Sequence, residues 1–137
     1  MRSVNEAASS PVRAEIDWWA GGKREGRLRV PLSRNESGWG TVAIPVVVIA
    51  NGSGPTMLFT AGNHGDEDEG QVALLRLAQT LDPAAVQRRV IILPAMHFPA
   101  ARAGSRAALA ITEAGVRNVL CHLGILEGAP VIARDMA

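Results

Sequence analysis

His64 and Glu67 stand three residues apart in the stretch Gly62-Asn63-His64-Gly65-Asp66-Glu67-Asp68-Glu69-Gly70. A neutral imidazole and a carboxylate at this spacing can both reach one zinc ion, because zinc takes nitrogen and oxygen donors in a tetrahedral shell. Asp66, Asp68 and Glu69 add a negative field that favours a cation. Carboxylates just inside a helix start have a second role, since the helix dipole stabilises them there. That second role is the preferred one for Asp68 and Glu69. His-x-x-Glu is a common pattern by itself. The glycines around it let the backbone turn sharply and keep side chains away, and its context adds weight.

That context is the pair of elements that must position the loop. Thr56 to Ala61 contains the apolar run Met57-Leu58-Phe59-Thr60-Ala61 and reads as a strand. Val72 to Leu81 repeats apolar residues at helical spacing, with Val72, Leu75, Ala78, Leu74, Leu77 and Leu81 on one broad face. Asp82-Pro83 ends that helix, and Val90-Ile91-Ile92-Leu93 is a short buried strand. Strand, helix, strand in this order is a βαβ unit with a right-handed crossover. The loop of His64 and Glu67 then leaves the carboxyl end of a parallel strand, where open α/β sheets place their ligands.

The residues before the loop predict antiparallel β-structure. Ile16 to Trp19 reads as a strand, Ala20-Gly21-Gly22 as a turn, and Arg27 to Leu32 as a half-buried strand by alternation. Asn35-Glu36-Ser37-Gly38 reads as a loop. Thr41 to Ile49 is β-branched, and Pro45 within it points to an edge or a bulge. Asn51-Gly52-Ser53-Gly54-Pro55 is a turn. Trp18, Trp19 and Trp39 are expected to anchor this layer by packing. Residues 1–13 are expected to form a flexible tail, and residues 14–137 one α/β domain. Ala107 to Leu123 is a second helical pattern, with Leu109, Val116, Val119, Leu120 and Leu123 on its apolar face and Gly124 at its end.

Composition narrows the functional classes. The chain has 137 residues, 47% of them hydrophobic, enough for one packed domain. A net charge of +1 argues against a nucleic-acid binder, which would carry a basic stripe. Arg88-Arg89 and the Lys23-Arg24 to Arg29 cluster are expected to be solvated surface. One cysteine, Cys121, excludes a disulfide framework and a cysteine-rich metal site. It reads as a small buried apolar residue. Met1 to Arg13 has no apolar segment of the signal-peptide kind, and the longest apolar run, Val42 to Ala50, is too short to span a bilayer. A cytoplasmic protein with no membrane partner is expected.

The Gly62–Gly70 segment resembles the zinc-binding segment of the succinylglutamate desuccinylase/aspartoacylase family, relatives of the zinc carboxypeptidases. Ser37-Gly38-Trp39-Gly40, Ile44-Pro45, Asn51-Gly52-Ser53-Gly54-Pro55, Pro94-Ala95-Met96 and Arg102-Ala103-Gly104-Ser105-Arg106 are similar too. So are Gly115-Val116-Arg117-Asn118-Val119-Leu120 and Gly124-Ile125-Leu126. Within the family the nearest group is the N-acetyl-diaminobutyrate deacetylases of ectoine breakdown, and the resemblance runs from about Gly26 onward. It implies a zinc-dependent hydrolase that deacylates an N-acyl amino acid. His64 and Glu67 would be its first two zinc ligands. Arg106 falls where the family has an arginine that polarises the scissile carbonyl or holds the substrate; a surface arginine at a helix start is the alternative.

The resemblance also implies parts that this sequence lacks. Family members are much longer. Beyond the Arg106 position they continue into an Asn-Arg substrate pair, a strand bearing a third zinc ligand His, and a later Glu that serves as general base. Here Arg106 runs at once into Ala107-Ala108-Leu109, which resembles the family's far C-terminal helix. The expected fold is therefore an incomplete zinc-carboxypeptidase-like mixed sheet, with a β-rich N-terminal segment and a C-terminal covering helix. Exposed sheet edge and apolar surface predict marginal stability or self-association. His97, after the second strand of the βαβ unit, is the candidate third ligand, although the family has an asparagine there. His122, inside the last helix, reads as a polar helix residue. The alternative to an enzyme is a catalytically inactive remnant that binds metal weakly or associates with a full-length relative.

Overall fold

The strands of this chain are built on alternation. Val46 and Val48 point to one side of the sheet and Val47 and Ile49 to the other, and Ile91 and Leu93 oppose Val90 and Ile92 in the same way. A strand buried on both faces needs apolar residues at every position, and these two short runs supply them. The computed structural model describes residues 12–34, 37–98, 101, 104 and 131–133.

Six strands form one mixed sheet in the order β1-β2-β3-β5-β4-β6. They are β1 (Arg13–Glu15), β2 (Gly22–Arg34), β3 (Ser37–Ala50), β4 (Thr56–Thr60), β5 (Arg89–Leu93) and β6 (Val131–Ala133). The helix α1 (Asp68–Thr80) and a short 3-10 turn (Pro83–Ala85) connect β4 to β5. β2 and β3 are a long antiparallel hairpin, with Leu28 opposite Ile44 and Val30 opposite Val42. β4 and β5 pair in parallel, from Thr56 opposite Arg89 to Thr60 opposite Leu93. This is the expected βαβ unit and the expected antiparallel first third. β3 joins the halves, running antiparallel to β5 from Val47 to Ala50. Pro45 lies in the part of β3 that pairs only with β2 among the described residues, opposite Arg27. The register irregularity of that hairpin falls instead between Leu32 and Arg34. Pro45 is thus at an edge, beyond the β3–β5 pairing, the kind of position where a proline is tolerated in a sheet.

Two apolar layers lie on the two faces of the sheet. One holds Leu28, Ile44, Val46, Val48, Leu58, Ile91 and Leu93 with Trp18 and Met96. The other holds Val47, Ile49, Val90 and Ile92 beneath Leu74 and Ala78 of α1, with Leu77 and Leu81 packed beside them. The C-terminal helix expected over 107–123 lies outside the described residues, as do Cys121 and His122. Residues 1–11 of the expected tail lie outside them too, and Arg13 already belongs to β1.

Three local expectations are corrected. The apolar stripe of α1 is narrower than its sequence suggests: Val72 and Leu75 are 48% and 49% exposed, while Leu74 is 7% exposed. The helix meets the sheet along one line, and Leu75 and Val72, about 100° and 160° round from Leu74 on the same side, leave the contact. Ile16 to Trp19 is no strand. The Asp17 carboxylate accepts from the N–H groups of Trp19 at 2.9 Å and Ala20 at 3.2 Å, and this local bonding displaces the ladder. Those same bonds hold the Asp17 carboxyl below its ordinary range. Of the tryptophans, Trp18 is a packing anchor but Trp19 is 67% exposed; Trp39 is described by its backbone alone.

Candidate metal centre

The loop between β4 and α1 starts where the strand pair does not quite stop. Ala61 N–H donates to Leu93 O at 3.0 Å, Met96 N–H to Ala61 O at 2.8 Å, and His97 N–H to Gly62 O at 2.9 Å. These bonds lace the chain after β4 to the chain after β5. Gly62 sits at the centre with φ +70°, and a Cβ there would stand 2.9 Å from Ala95 Cα. Only glycine meets both demands, a left-handed backbone and so close an approach. The lacing fixes the point from which His64 departs.

Glu67 is the residue before the first turn of α1, with φ −106° and ψ 94°, and its side chain makes no capping bond. An N-cap side chain ordinarily accepts from an N–H of the first turn. The Glu67 carboxylate turns instead to His64, with Oε1 3.1 Å from Nδ1, and its Oε2 is shielded from solvent. Both side chains are partly buried, at 30% and 24% exposed. Asp68 and Glu69 take over the helix start electrostatically, as first-turn carboxylates. They are exposed, as is Asp66.

Gln71 is a supporting residue that sequence reading passed over. Its Nε2 donates to the Glu67 carbonyl at 3.1 Å, and its side chain packs on the Gly62 backbone. The signal was its place four residues after Glu67, one helical turn on.

The donor pair fits two positions of a zinc shell. Bonds of about 2.0–2.2 Å at a tetrahedral angle put two donors roughly 3.3 Å apart, close to the 3.1 Å between Nδ1 and Oε1. Among the described residues the third position is not filled: no three His, Cys, Asp or Glu side chains are grouped to hold one ion. His97 is buried at 5% exposed and joins the loop through its backbone, but it does not complete the set. Arg106 lies outside the described residues. Among the described residues no helix is long and apolar enough to cross a membrane.

Known proteins share this fold and much of this sequence. Residues 53–115 match the succinylglutamate desuccinylase/aspartoacylase catalytic domain. The N-alpha-acetyl-L-2,4-diaminobutyric acid deacetylase of Halomonas elongata is 52% identical over 97 residues, which are 71% of this chain and 28% of that protein. The product-bound ectoine utilization protein EutE (DoeB) of Ruegeria pomeroyi superposes with a TM-score of 0.66 at 50% identity, over 72% of this chain and 30% of the other. A succinylglutamate desuccinylase/aspartoacylase of Rhodobacter sphaeroides gives 0.64 at 53% identity, over 70% of this chain and 30% of the other. The chain thus spans under a third of the length of each of these relatives, and its mixed α/β sheet is a part of their larger fold.

Proposed function

We propose that the site belongs to zinc-dependent deacylation of an N-acyl amino acid of the N-acetyl-diaminobutyrate kind, on the premise that residues 53–115 match the succinylglutamate desuccinylase/aspartoacylase catalytic domain. The observation that carries this reading is the convergence of His64 Nδ1 and Glu67 Oε1 at 3.1 Å, at the carboxyl end of a parallel strand. The similarity to a diaminobutyrate deacetylase supports the substrate class.

Zinc supplies Lewis acidity, lowering the pKa of a bound water and polarising an amide carbonyl. His64 and Glu67 would hold it. The backbone lacing at Gly62 keeps the two donors in place before any ion arrives, so little reorganisation is needed on binding. Gln71 steadies the Glu67 main chain. Arg106 would orient the acyl carbonyl or the substrate carboxylate, the task for which a guanidinium fork is suited.

A second reading is favoured by one specific observation. A catalytic zinc keeps three protein ligands and one open position, and the described residues supply two. On this reading the chain is a remnant that binds metal weakly and does not turn over, or associates with a full-length relative. Zinc content after equilibrium dialysis, with His64→Ala as control, separates the two. About one zinc per chain, lost in the variant, together with deacetylation of N-acetyl-diaminobutyrate, supports the enzyme. Zinc far below one, or unchanged by the variant, supports the remnant.

A further inference from the structure

At the far end of β4 from the His64 loop, a second polar site stands on the sheet. The two ends of the five-residue strand are about 13 Å apart. Arg89 opens β5 there. Its Nε and Nη2 both donate to Thr56 Oγ1, at 2.9 and 2.7 Å, and its Nη1 donates to Trp18 O at 3.0 Å. The Trp19 ring lies over the guanidinium, 4.2 Å from its carbon. The expectation that Arg89 is solvated surface is therefore corrected: it is half-buried, and burial draws its pKa below the usual arginine range.

Among the described residues this cation has no counter-charge: no carboxylate pairs with Arg89. A guanidinium has five N–H groups, and three are used, which leaves two. Arg89 borders a cavity of about 270 Å³ whose other walls are Trp19, Ala50, Gly52, Ser53 and Gly54. Gly54 has φ +141°, and a Cβ on it would run into the Arg88 side chain. The Arg88 side chain thus packs on the loop at Gly54, but it is not one of the residues that wall the cavity. Gly52 is also left-handed, at φ +76°. Successive N–H groups in a glycine turn of this kind make concavities that attract anions.

We propose that the cavity between Arg89, Trp19 and the Gly52–Gly54 loop is a binding site for a small tetrahedral oxyanion of the phosphate class. The cavity is below the usual size of a cofactor pocket, so a small anion suits it and a nucleotide does not. Arg89 keeps two N–H groups free of its Thr56 and Trp18 bonds and the glycine loop forms another wall, which suits a small oxyanion that accepts on more than one oxygen. The site is separate from the His64–Glu67 centre and does not depend on metal there.

The test uses the full chain, stripped of metal with a chelator, and inorganic phosphate as the probe against sodium chloride of equal ionic strength. Tryptophan fluorescence follows the Trp19 ring, and the thermal midpoint follows stability. The expected result is a saturable fluorescence change with a raised midpoint. Arg89→Lys keeps the charge and loses the fork, and should weaken phosphate binding about tenfold. Arg88→Ala leaves the Thr56 and Trp18 bonds intact and removes a side chain outside the cavity wall, so it should fold and bind phosphate as before. His64→Ala should bind phosphate unchanged. A response no larger than that to chloride overturns the proposal, as does one that survives Arg89→Lys. Arg89 is then a structural clamp between Trp18 and Thr56.

Discussion

Nδ1 of His64 lies 3.1 Å from Oε1 of Glu67, and Glu67 is also the residue that should cap α1. Its side chain makes no capping bond. The carboxylate that faces the imidazole leaves the helix start without a cap from its own N-cap side chain. Stability of the helix start and assembly of the donor pair are therefore in competition at this residue.

Replacing Glu67 with serine tests that competition. In metal-free protein, Glu67→Ser should raise stability by about 0.5–2 kcal/mol, the usual effect of a good N-cap. The same variant should lose zinc affinity by more than roughly tenfold. Urea unfolding and zinc titration measure the two effects on one sample. A serine variant less stable than the parent would mean that the His64 contact matters more to the fold than the cap does.

Gly62→Ala should be costly whether or not metal is present. The left-handed φ of +70° and the 2.9 Å approach to Ala95 Cα both penalise a Cβ. The expected loss is roughly 1–3 kcal/mol, read as a lowered urea midpoint. Zinc affinity should fall with it, because the loop is hung from this residue. An unchanged midpoint would show that the lacing between the strand ends can relax.

Leu74 and Leu75 are adjacent and identical in chemistry, yet only Leu74 is buried against the sheet. Leu74→Ala should cost about 2–5 kcal/mol, and Leu75→Ala about 0.5 kcal/mol or less. Equal losses would mean that Leu75 is covered as well, by another part of the chain or by a second copy.

Asp17 sets an acid limit on the N-terminal bend. Backbone N–H groups of Trp19 and Ala20 lower its pKa on folding. A group depressed in the folded state contributes stability above its unfolded pKa and loses it as pH falls through the folded value. Asp17→Ala should therefore be less stable than the parent at pH 7, and the gap should close as pH falls below the ordinary carboxylate range. Urea midpoints across pH measure this. A gap that stays constant with pH would show that the ionised carboxylate is not what holds the turn.

The parts of this molecule that the amino-acid order determined by itself are those whose causes are local. His64, Glu67, Asp68 and Glu69 lie within six residues, so spacing alone placed a donor pair before a helix start with acidic residues in its first turn. The alternation of Val46–Ile49 and Val90–Leu93, and the helical period after Gly70, determined the βαβ unit through backbone geometry that repeats every two or 3.6 residues. Period does not say which of several apolar residues meets a neighbour. Val72 and Leu75 belong to the same apolar pattern as Leu74, and only the line of contact with Ile92 and Val90 turned them outward. Nor does sequence show that Arg88-Arg89 divides, one guanidinium lying across Gly54 and the other clamped by Thr56 and Trp18. Those partners are 33 and 71 residues away from Arg89. The insertion of β3 beside β5, the close approach of Ala95 to Gly62 and the cavity under Trp19 have the same origin. Each depends on surfaces brought together from distant parts of the chain, so only the tertiary structure decided them.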